Sequence, residues 1–176
     1  MSSNYSVTDY LLDRANIHDT VTKLAWYYDT GSEDGLREQV FAPELYVDYS
    51  KILGGEPFTI AGPAWAAQAK KLVEKFDSSQ HLYGHLIIEL PQPGSSSTPP
   101  ATCKVLGQCG ASMARREAGE GGSLLQNGGQ AFIEVVRLPE LEAKGVNPWR
   151  ISSQAITPAW ERGNKAVLEG LQAQGS

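Results

Sequence analysis

The first part of the chain alternates between apolar and polar residues at the spacing of an amphipathic helix. Within residues 8–30 the apolar side chains recur every three or four positions, at Ile17, Val21, Leu24 and Tyr28. This spacing predicts a long helix with one buried face, and Gly31 favours a helix end directly after it. A short second helix is predicted over residues 32–40, and a third over residues 62–76, opened by a Gly-Pro pair.

Strand patterns dominate the rest of the chain. Residues 45–49 alternate and are rich in β-forming side chains, which predicts a first strand. Four further strands are predicted over residues 80–90, 101–116, 128–138 and 148–157. The tail over residues 159–174 has a weaker helical pattern with polar ends.

Helices first and strands afterwards are typical of an α+β domain. We therefore expect a single domain over residues 1–176, in which the N-terminal helices pack against a curved, mostly antiparallel sheet and enclose a cavity. The segments 91–100 and 117–127 are rich in Pro, Gly and Ser and are predicted to be flexible hairpin loops. Residues 159–176 form a C-terminal tail in this prediction.

Composition argues against several other classes of protein. Hydrophobic residues make up 41% and charged residues 20% of the chain, which is typical of a globular domain. The net charge of -5 leaves no basic stripe to neutralise the phosphates of a nucleic acid. No apolar run approaches the roughly 20 residues of a membrane-spanning helix, and the first residues lack a signal-peptide pattern. Cys103 and Cys109 are about 20 Å apart on one predicted strand, so we expect reduced thiols and a cytoplasmic protein.

Four residues with acid–base chemistry lie on three separate segments. Tyr28 and Asp29 close the first helical pattern, Tyr49 ends the first predicted strand, and His81 lies at the start of the strand over residues 80–90. A histidine oriented by a carboxylate, with phenols nearby, can transfer protons on an organic substrate without a cofactor. Each residue also has a structural explanation: Asp29 as a helix-end cap, the tyrosines as core aromatics, and His81 as a half-exposed histidine.

Alternation along residues 80–90 sorts the side chains of that strand onto two faces. The face expected to line a pocket carries His81, Tyr83, His85 and Ile87. The other face, expected to form a core layer or a subunit contact, carries Leu82, Leu86, Ile88 and Leu90. His81 and His85 are about 13 Å apart on a strand, too far to share a metal ion, and no metal-ligand motif occurs. No metal site is therefore predicted.

Several short segments, in this order and spacing, resemble scytalone dehydratase and its SnoaL-like relatives in the NTF2-like superfamily. They are Leu24-Ala25-Trp26-Tyr27-Tyr28-Asp29, Leu36-Arg37, Ala42-Pro43, Val47-Asp48-Tyr49-Ser50 and Ser79-Gln80-His81-Leu82-Tyr83-Gly84. The resemblance covers roughly the first half of the chain. Beyond Leu90 it persists only in the strand order and in the closing Trp149-Arg150-Ile151 strand.

The resemblance implies a cone-shaped α+β barrel with a deep apolar pocket, commonly assembled through its sheet as a homodimer or homotrimer. It implies cofactor-free chemistry on a small molecule of polyketide or terpenoid type: dehydration, cyclisation, epoxide hydrolysis or isomerisation. By position, Asp29 and His81 match the family's aspartate–histidine pair. Tyr28 and Tyr49 match its two tyrosines, which hold the substrate carbonyl through water.

The chain departs from the dehydratase pattern on the far wall of the pocket. The family's second active-site histidine has no counterpart, and Ala114 or Arg115 falls near that position. Gln130 and Phe132 stand where the pattern has serine and asparagine. A different substrate is therefore expected, and isomerisation or cyclisation is favoured slightly over dehydration.

The sequence thus predicts an acid–base enzyme of secondary metabolism, without a cofactor, that uses an Asp29–His81 dyad with Tyr28 and Tyr49. Four residues are expected to contact the substrate: Trp65, Tyr83, Met113 and Phe132. The alternative is a non-catalytic NTF2-like module that binds small molecules or another protein. In that case Trp65, Met113 and Phe132 would fill the cavity and His81 would face solvent.

Overall fold

The computed structural model describes residues 5–96 and 98–171. Three helices pack against the sheet or its edges: α1 (Val7–Asp29), α3 (Ser50–Leu53) and α4 (Gly62–Val73). Between α1 and the first strand lies a short α2 (Glu33–Gly35), which continues as a π-helical turn over Leu36–Val40. The predicted helices over residues 8–30, 32–40 and 62–76 are thus confirmed, with small changes at their ends.

Six strands form one sheet. They are β1 (Phe41–Asp48), β2 (Phe58–Ala61), β3 (Ser78–Ile88), β4 (Thr102–Ala114), β5 (Leu124–Arg137) and β6 (Trp149–Gly163). The order across the sheet is β2-β1-β6-β5-β4-β3, and only the pair β1–β6 is parallel. The predicted α+β class with a curved, mostly antiparallel sheet is confirmed. The sheet is not closed: β2 and β3 are its edges, and α1 lies across β3 on the inner face.

Local sequence explains how α1 begins and which face it buries. Ser6 accepts a hydrogen bond from the Asp9 backbone, and Asp9 accepts one from the Ser6 backbone, which together form a capping box. The predicted stripe of apolar residues is buried in the core. Gly31 follows with a φ of 62°, a conformation that favours glycine. The helix therefore ends at Asp29, with its last two side chains facing the interior of the protein.

Strand β3 contains a bulge that the alternation pattern does not predict. His85 has a φ of 51°, and the pairing with β4 shifts between Gly84 and Ile87. An extra residue in one strand reverses which side chains face inward. The inner face therefore carries His81 and Tyr83 before the bulge and the core residues Leu86, Ile88 and Leu90 after it. Leu82, His85 and Ile87 are exposed, so both predicted faces of this strand were wrong in part.

Other strand ends differ from the prediction in ways that pairing explains. Strand β6 continues to Gly163, so the predicted tail helix is wrong over residues 159–163; only Lys165–Leu168 form a helical turn, and residues 172–176 lie outside the described part. Strand β5 begins at Leu124, which shortens the predicted loop 117–127. The short edge strand β2 was not predicted. The first strand starts at Phe41 rather than at residue 45.

The N-terminal end of α1 is fixed by a buried polar cluster around Asp13. The Asp13 carboxylate accepts hydrogen bonds from the Tyr5 hydroxyl at 2.9 Å and the Trp149 indole at 3.0 Å, and it forms an ion pair with Arg137. The guanidinium of Arg137 also lies over the Trp149 ring. The Tyr5 backbone bonds to Gly94 and Ser96 in the loop over residues 91–100, whose residue 97 lies outside the described part. This cluster ties helix, sheet and loop together.

Candidate active site

A cavity opens between the helices and the inner face of the sheet. It comprises about 800 Å³, which includes open solvent at its mouth. Aliphatic and aromatic side chains from α3, α4, β4 and β6 form most of the wall, and Leu168 and Leu171 line it from the C-terminal segment. Polar side chains are few: the lining includes Tyr28, Tyr49, His81, Tyr83 and Asn127. The cavity is therefore apolar, with its polar groups concentrated near α1 and β3.

Asp29 and His81 form a hydrogen-bonded pair at the edge of this cavity. One carboxylate oxygen of Asp29 is 2.7 Å from His81 Nδ1, and the other accepts the backbone N–H of His81 at 2.7 Å. The Ser79 hydroxyl adds a third hydrogen bond at 2.9 Å. Nδ1 must carry a proton to bond to a carboxylate, so the second ring nitrogen, Nε2, has a free lone pair while the ring is neutral.

These contacts keep Asp29 ionised. Partial burial opposes ionisation, but hydrogen bonds from the ring and backbone of His81 and from Ser79 outweigh it, so the pKa of Asp29 is lowered. Three donors to one carboxylate also fix its orientation. The geometry holds the imidazole in a single tautomer, in which Nδ1 is the donor and Nε2 the acceptor.

Three tyrosines lie next to the histidine. The Tyr28 hydroxyl is 3.3 Å from that of Tyr49, accepts the indole N–H of Trp65 at 3.2 Å, and lies within hydrogen-bond distance of the Gln154 amide. The ring centroids of Tyr28 and His81 are 5.6 Å apart in an edge-on arrangement. Tyr83 reaches the same group from β3. Three phenols therefore lie close together beside the imidazole, at the same side of the cavity.

Burial keeps these phenols protonated. It raises the pKa of Tyr28, and it raises the pKa values of Tyr49 and Tyr83 well above the usual range. Burial likewise raises the pKa of the Cys109 thiol, which also lines the cavity. These groups can donate hydrogen bonds at neutral pH but cannot act as bases there. Among these groups, the imidazole is the one suited to accept a proton at neutral pH.

The residues predicted to contact substrate divide into two groups. Trp65, Tyr83 and Met113 line the cavity. Phe132 does not: it lies on the outer face of β5 with 47% of its surface exposed, so its expected place in the pocket was wrong. Strand alternation explains this, because Ala131 and Ile133 are the buried neighbours and the parity of the strand turns Phe132 outward.

Comparison with known proteins places this fold and cavity in a family. The sequence profile of the SnoaL-like domain matches residues 9–154, most of the chain. The chain belongs to the SnoaL-like domain family. Among curated proteins, no sequence matches it significantly.

Solved structures share the same NTF2-like fold as this SnoaL-like protein. Kfla4162 from Kribbella flavida is 19% identical with a TM-score of 0.77, covering 92% of this chain and 100% of its own. The hexachlorocyclohexane dehydrochlorinase LinA-type3 from Novosphingobium barchaimii LL02 is 17% identical with a TM-score of 0.67, covering 97% and 100%. A candidate scytalone dehydratase from Novosphingobium aromaticivorans DSM 12444 is 15% identical with a TM-score of 0.67, covering 96% of both chains.

Two polar residues of the SnoaL-like chain escaped the sequence analysis. Gln154, on β6, is 1% exposed and bonds to the Tyr28 hydroxyl. Asn127, on β5, lines the cavity, whereas Gln130, expected near the far wall, is exposed. Alternation along β6 and β5 could predict that Gln154 and Asn127 face the interior, but only if the ends and bulges of these strands were known.

The described residues contain no cluster of three or more His, Cys, Asp or Glu side chains able to hold a metal ion. Within the same residues, no helix is long and apolar enough to cross a membrane. His81 is the only histidine among the described residues lining the cavity. Arg115, which falls near the position of the family's second histidine, donates a hydrogen bond to the Glu169 carbonyl. Both cysteines are free thiols.

Proposed function

We propose that this SnoaL-like protein is a cofactor-independent acid–base enzyme of secondary metabolism, acting on an uncharged polyketide- or terpenoid-type molecule. The observation that carries the proposal is the Asp29–His81 pair at the edge of an apolar cavity, 2.7 Å between carboxylate and Nδ1. A carboxylate that orients a histidine leaves Nε2 as a general base. Dehydratase- and dehydrochlorinase-type relatives of the same fold support a proton-abstracting reaction.

In the proposed first step, His81 Nε2 removes a proton from a carbon next to a substrate carbonyl. The electron pair of the broken C–H bond moves onto the carbonyl oxygen, and the resulting enolate accepts hydrogen bonds from Tyr28 and Tyr49. Neutral phenols held in an apolar environment stabilise such an oxyanion more strongly than water does. The Asp29 carboxylate stabilises the imidazolium that forms.

In the second step, the imidazolium returns its proton to a different carbon, which gives isomerisation, or to a leaving group. Among the described residues that line the cavity there is one histidine, so the same group serves as base and then as acid. This arrangement favours isomerisation or cyclisation over elimination of a poor leaving group. Binding without catalysis is the alternative, but it does not require an ordered histidine tautomer beside the cavity.

The proposal is tested by deuterium exchange into 2-tetralone, a ketone that enolises readily. In D₂O, we expect the wild-type protein to accelerate exchange at C1 by about 10²–10⁴-fold over buffer, the range of a positioned general base. The rate is followed by proton NMR. Exchange that matches the buffer rate at every pH between about 5 and 8 contradicts the proposal.

Histidine-specific controls accompany this assay. His85→Gln changes a histidine on the same strand that is exposed outside the cavity, so its exchange rate should equal that of the wild type. A reduced rate in this variant would show that the exchange is not specific to His81.

We also propose that copies of the chain assemble through the outer face of the sheet, as the family resemblance implies. Leu82, Ile87, Phe132 and Trp160 are exposed there, and covering them would remove apolar surface from water. Light scattering should give the mass of a dimer or trimer, and Phe132→Glu with Trp160→Glu should give a monomer. Leu12→Glu, at an exposed position on α1, is the control. A monomeric wild type rejects this assembly.

A further inference from the structure

Three residues form a row across the inner face of the sheet. His81 on β3 pairs with Ala111 on β4, and Ala111 pairs with Asn127 on β5. Directly paired residues on neighbouring antiparallel strands project to the same side of a sheet. All three residues line the cavity. The imidazole of His81 and the amide of Asn127 therefore lie in one row across the sheet, and the methyl group of Ala111 lies between them.

The spacing of this row suits a small molecule. Neighbouring strands are about 4.8 Å apart, so the Cα atoms of His81 and Asn127 are separated by about 10 Å along the curved sheet. The Ala111 side chain is too short to fill the space between their longer side chains. A flat carbon skeleton lying over Ala111 would have the imidazole at one end and the amide at the other.

The Asn127 side chain differs from the other polar groups of the cavity. Tyr28, Tyr49, Trp65 and Gln154 bond to one another, and His81 bonds to Asp29. The amide of Asn127 makes no hydrogen bond with any residue in ranges 5–96 and 98–171. An amide has two donors and one acceptor, and a ligand that covered it without bonding to it would leave these groups unpaired at a cost.

We infer that Asn127 binds a second oxygen function of the substrate, a hydroxyl or carbonyl, at the end opposite the carbon that His81 deprotonates. This inference rests on the proposed function, because it assigns the two ends of the same substrate. The amide can donate to a carbonyl or accept from a hydroxyl, so it distinguishes an oxygenated end from a hydrocarbon end. Asn127 is then a specificity-determining residue and takes no part in proton transfer.

The charges around the cavity narrow the substrate class further. The described residues that line it include no Lys, Arg, Asp or Glu, and the nearby Asp29 carboxylate is already bonded to His81 and Ser79. A charged substrate would lose its hydration without gaining an opposite charge. The site thus fits an uncharged, cyclic molecule with oxygen at two opposite ends.

The test compares two ketones that differ by one hydroxyl. 2-Tetralone has oxygen at one end only, whereas 6-hydroxy-2-tetralone has oxygen at both ends of the ring system. Binding is followed by the indole N–H resonance of Trp65, which lines the cavity. We expect the hydroxylated ketone to bind the wild type about threefold to tenfold more tightly, the effect of one hydrogen bond of ordinary net strength.

Variants assign this preference to the amide. Asn127→Ala should bind the two ketones with equal affinity, and Asn127→Ser should keep part of the preference. Gln126→Ala is the matched control, because Gln126 is the preceding amide on the same strand and bonds to Ser112 rather than lining the cavity. Its preference should equal that of the wild type.

The outcomes separate this inference from the proposed function. If the hydroxylated ketone is preferred and the preference is lost in Asn127→Ala, the inference holds, even if neither ketone undergoes exchange. Equal binding of both ketones to the wild type, or a preference that survives in Asn127→Ala, overturns it, even if exchange is fast. Failure of both ketones to shift the Trp65 resonance also overturns it.

Discussion

Replacing either member of the Asp29–His81 pair should slow deuterium exchange into 2-tetralone by about 10²–10⁴-fold. His81→Gln removes the imidazole but keeps a polar side chain of similar reach, so the cavity stays intact while the base is lost. Asp29→Asn acts differently. Its side-chain NH₂ can donate to Nδ1, which would place the ring proton on Nε2 and leave no lone pair facing the substrate.

The two variants are measured with the same NMR assay, together with their thermal unfolding. Asp29 also has a structural role, because it accepts the His81 backbone and the Ser79 hydroxyl. The lowered pKa of Asp29 means that its ionised form stabilises the folded state above the pKa of the unfolded chain. That contribution is lost as the pH falls through the lowered value. Rates are therefore compared near neutral pH, where a folded variant that keeps wild-type exchange would contradict the assignment.

Asp13→Asn should lower the free energy of unfolding by about 3–5 kcal/mol, because it removes one partner of a buried ion pair. The Asp13 side chain is 4% exposed and that of Arg137 is 10% exposed. The Asn side chain carries no charge, so the guanidinium keeps only the more exposed Glu142 carboxylate as a countercharge. The NH₂ end of the amide cannot accept the hydrogen bond that Tyr5 or Trp149 donates to Asp13. The loss is measured by urea denaturation at constant pH.

Asp19→Asn is the control for this substitution. Asp19 is in the same helix, but its side chain is 65% exposed and lies beside His18 at 3.6 Å, a contact of little energetic value at the surface. We expect a change in stability close to zero. If Asp13→Asn behaves like Asp19→Asn, the buried cluster does not stabilise the junction between α1, the sheet and the loop over residues 91–100.

The site was more predictable from sequence than the fold that carries it. Asp29 ends a helix whose apolar stripe is clear, and His81 begins a strand after a polar turn, so both positions follow from local patterns. Their contact depends on the crossing of α1 over β3, for which only the family resemblance gave an expectation. The position of Phe132 could not be predicted in the same way. A strand pattern sorts residues onto two faces, but which face is buried depends on the register with neighbouring strands.

The unpredicted parts of the fold depend on pairing between distant segments. Residues 159–163 have a helical pattern, yet they continue β6 because β5 offers partners for them: Trp160 lies against Gly128 and Arg162 against Gln126. The ring of Trp160 occupies the space that a Cβ at Gly128 would need. Propensity is a weak prior when a neighbouring strand supplies backbone hydrogen bonds. No local signal in the tail reveals such a partner.

The bulge at His85 changes, within one strand, which alternate residues face the interior. Before it, alternate residues from Ser79 to Tyr83 face Asp29 and the cavity; after it, Leu86 and Ile88 face the core in the opposite phase. If the same residues formed a strand without the bulge, uninterrupted alternation would put His81 and Tyr83 on one face and Leu86 and Ile88 on the other, so either the imidazole or the aliphatic layer would turn outward. The extra residue therefore allows both the part of the strand that carries the histidine and the part that packs in the core to face the interior of the protein.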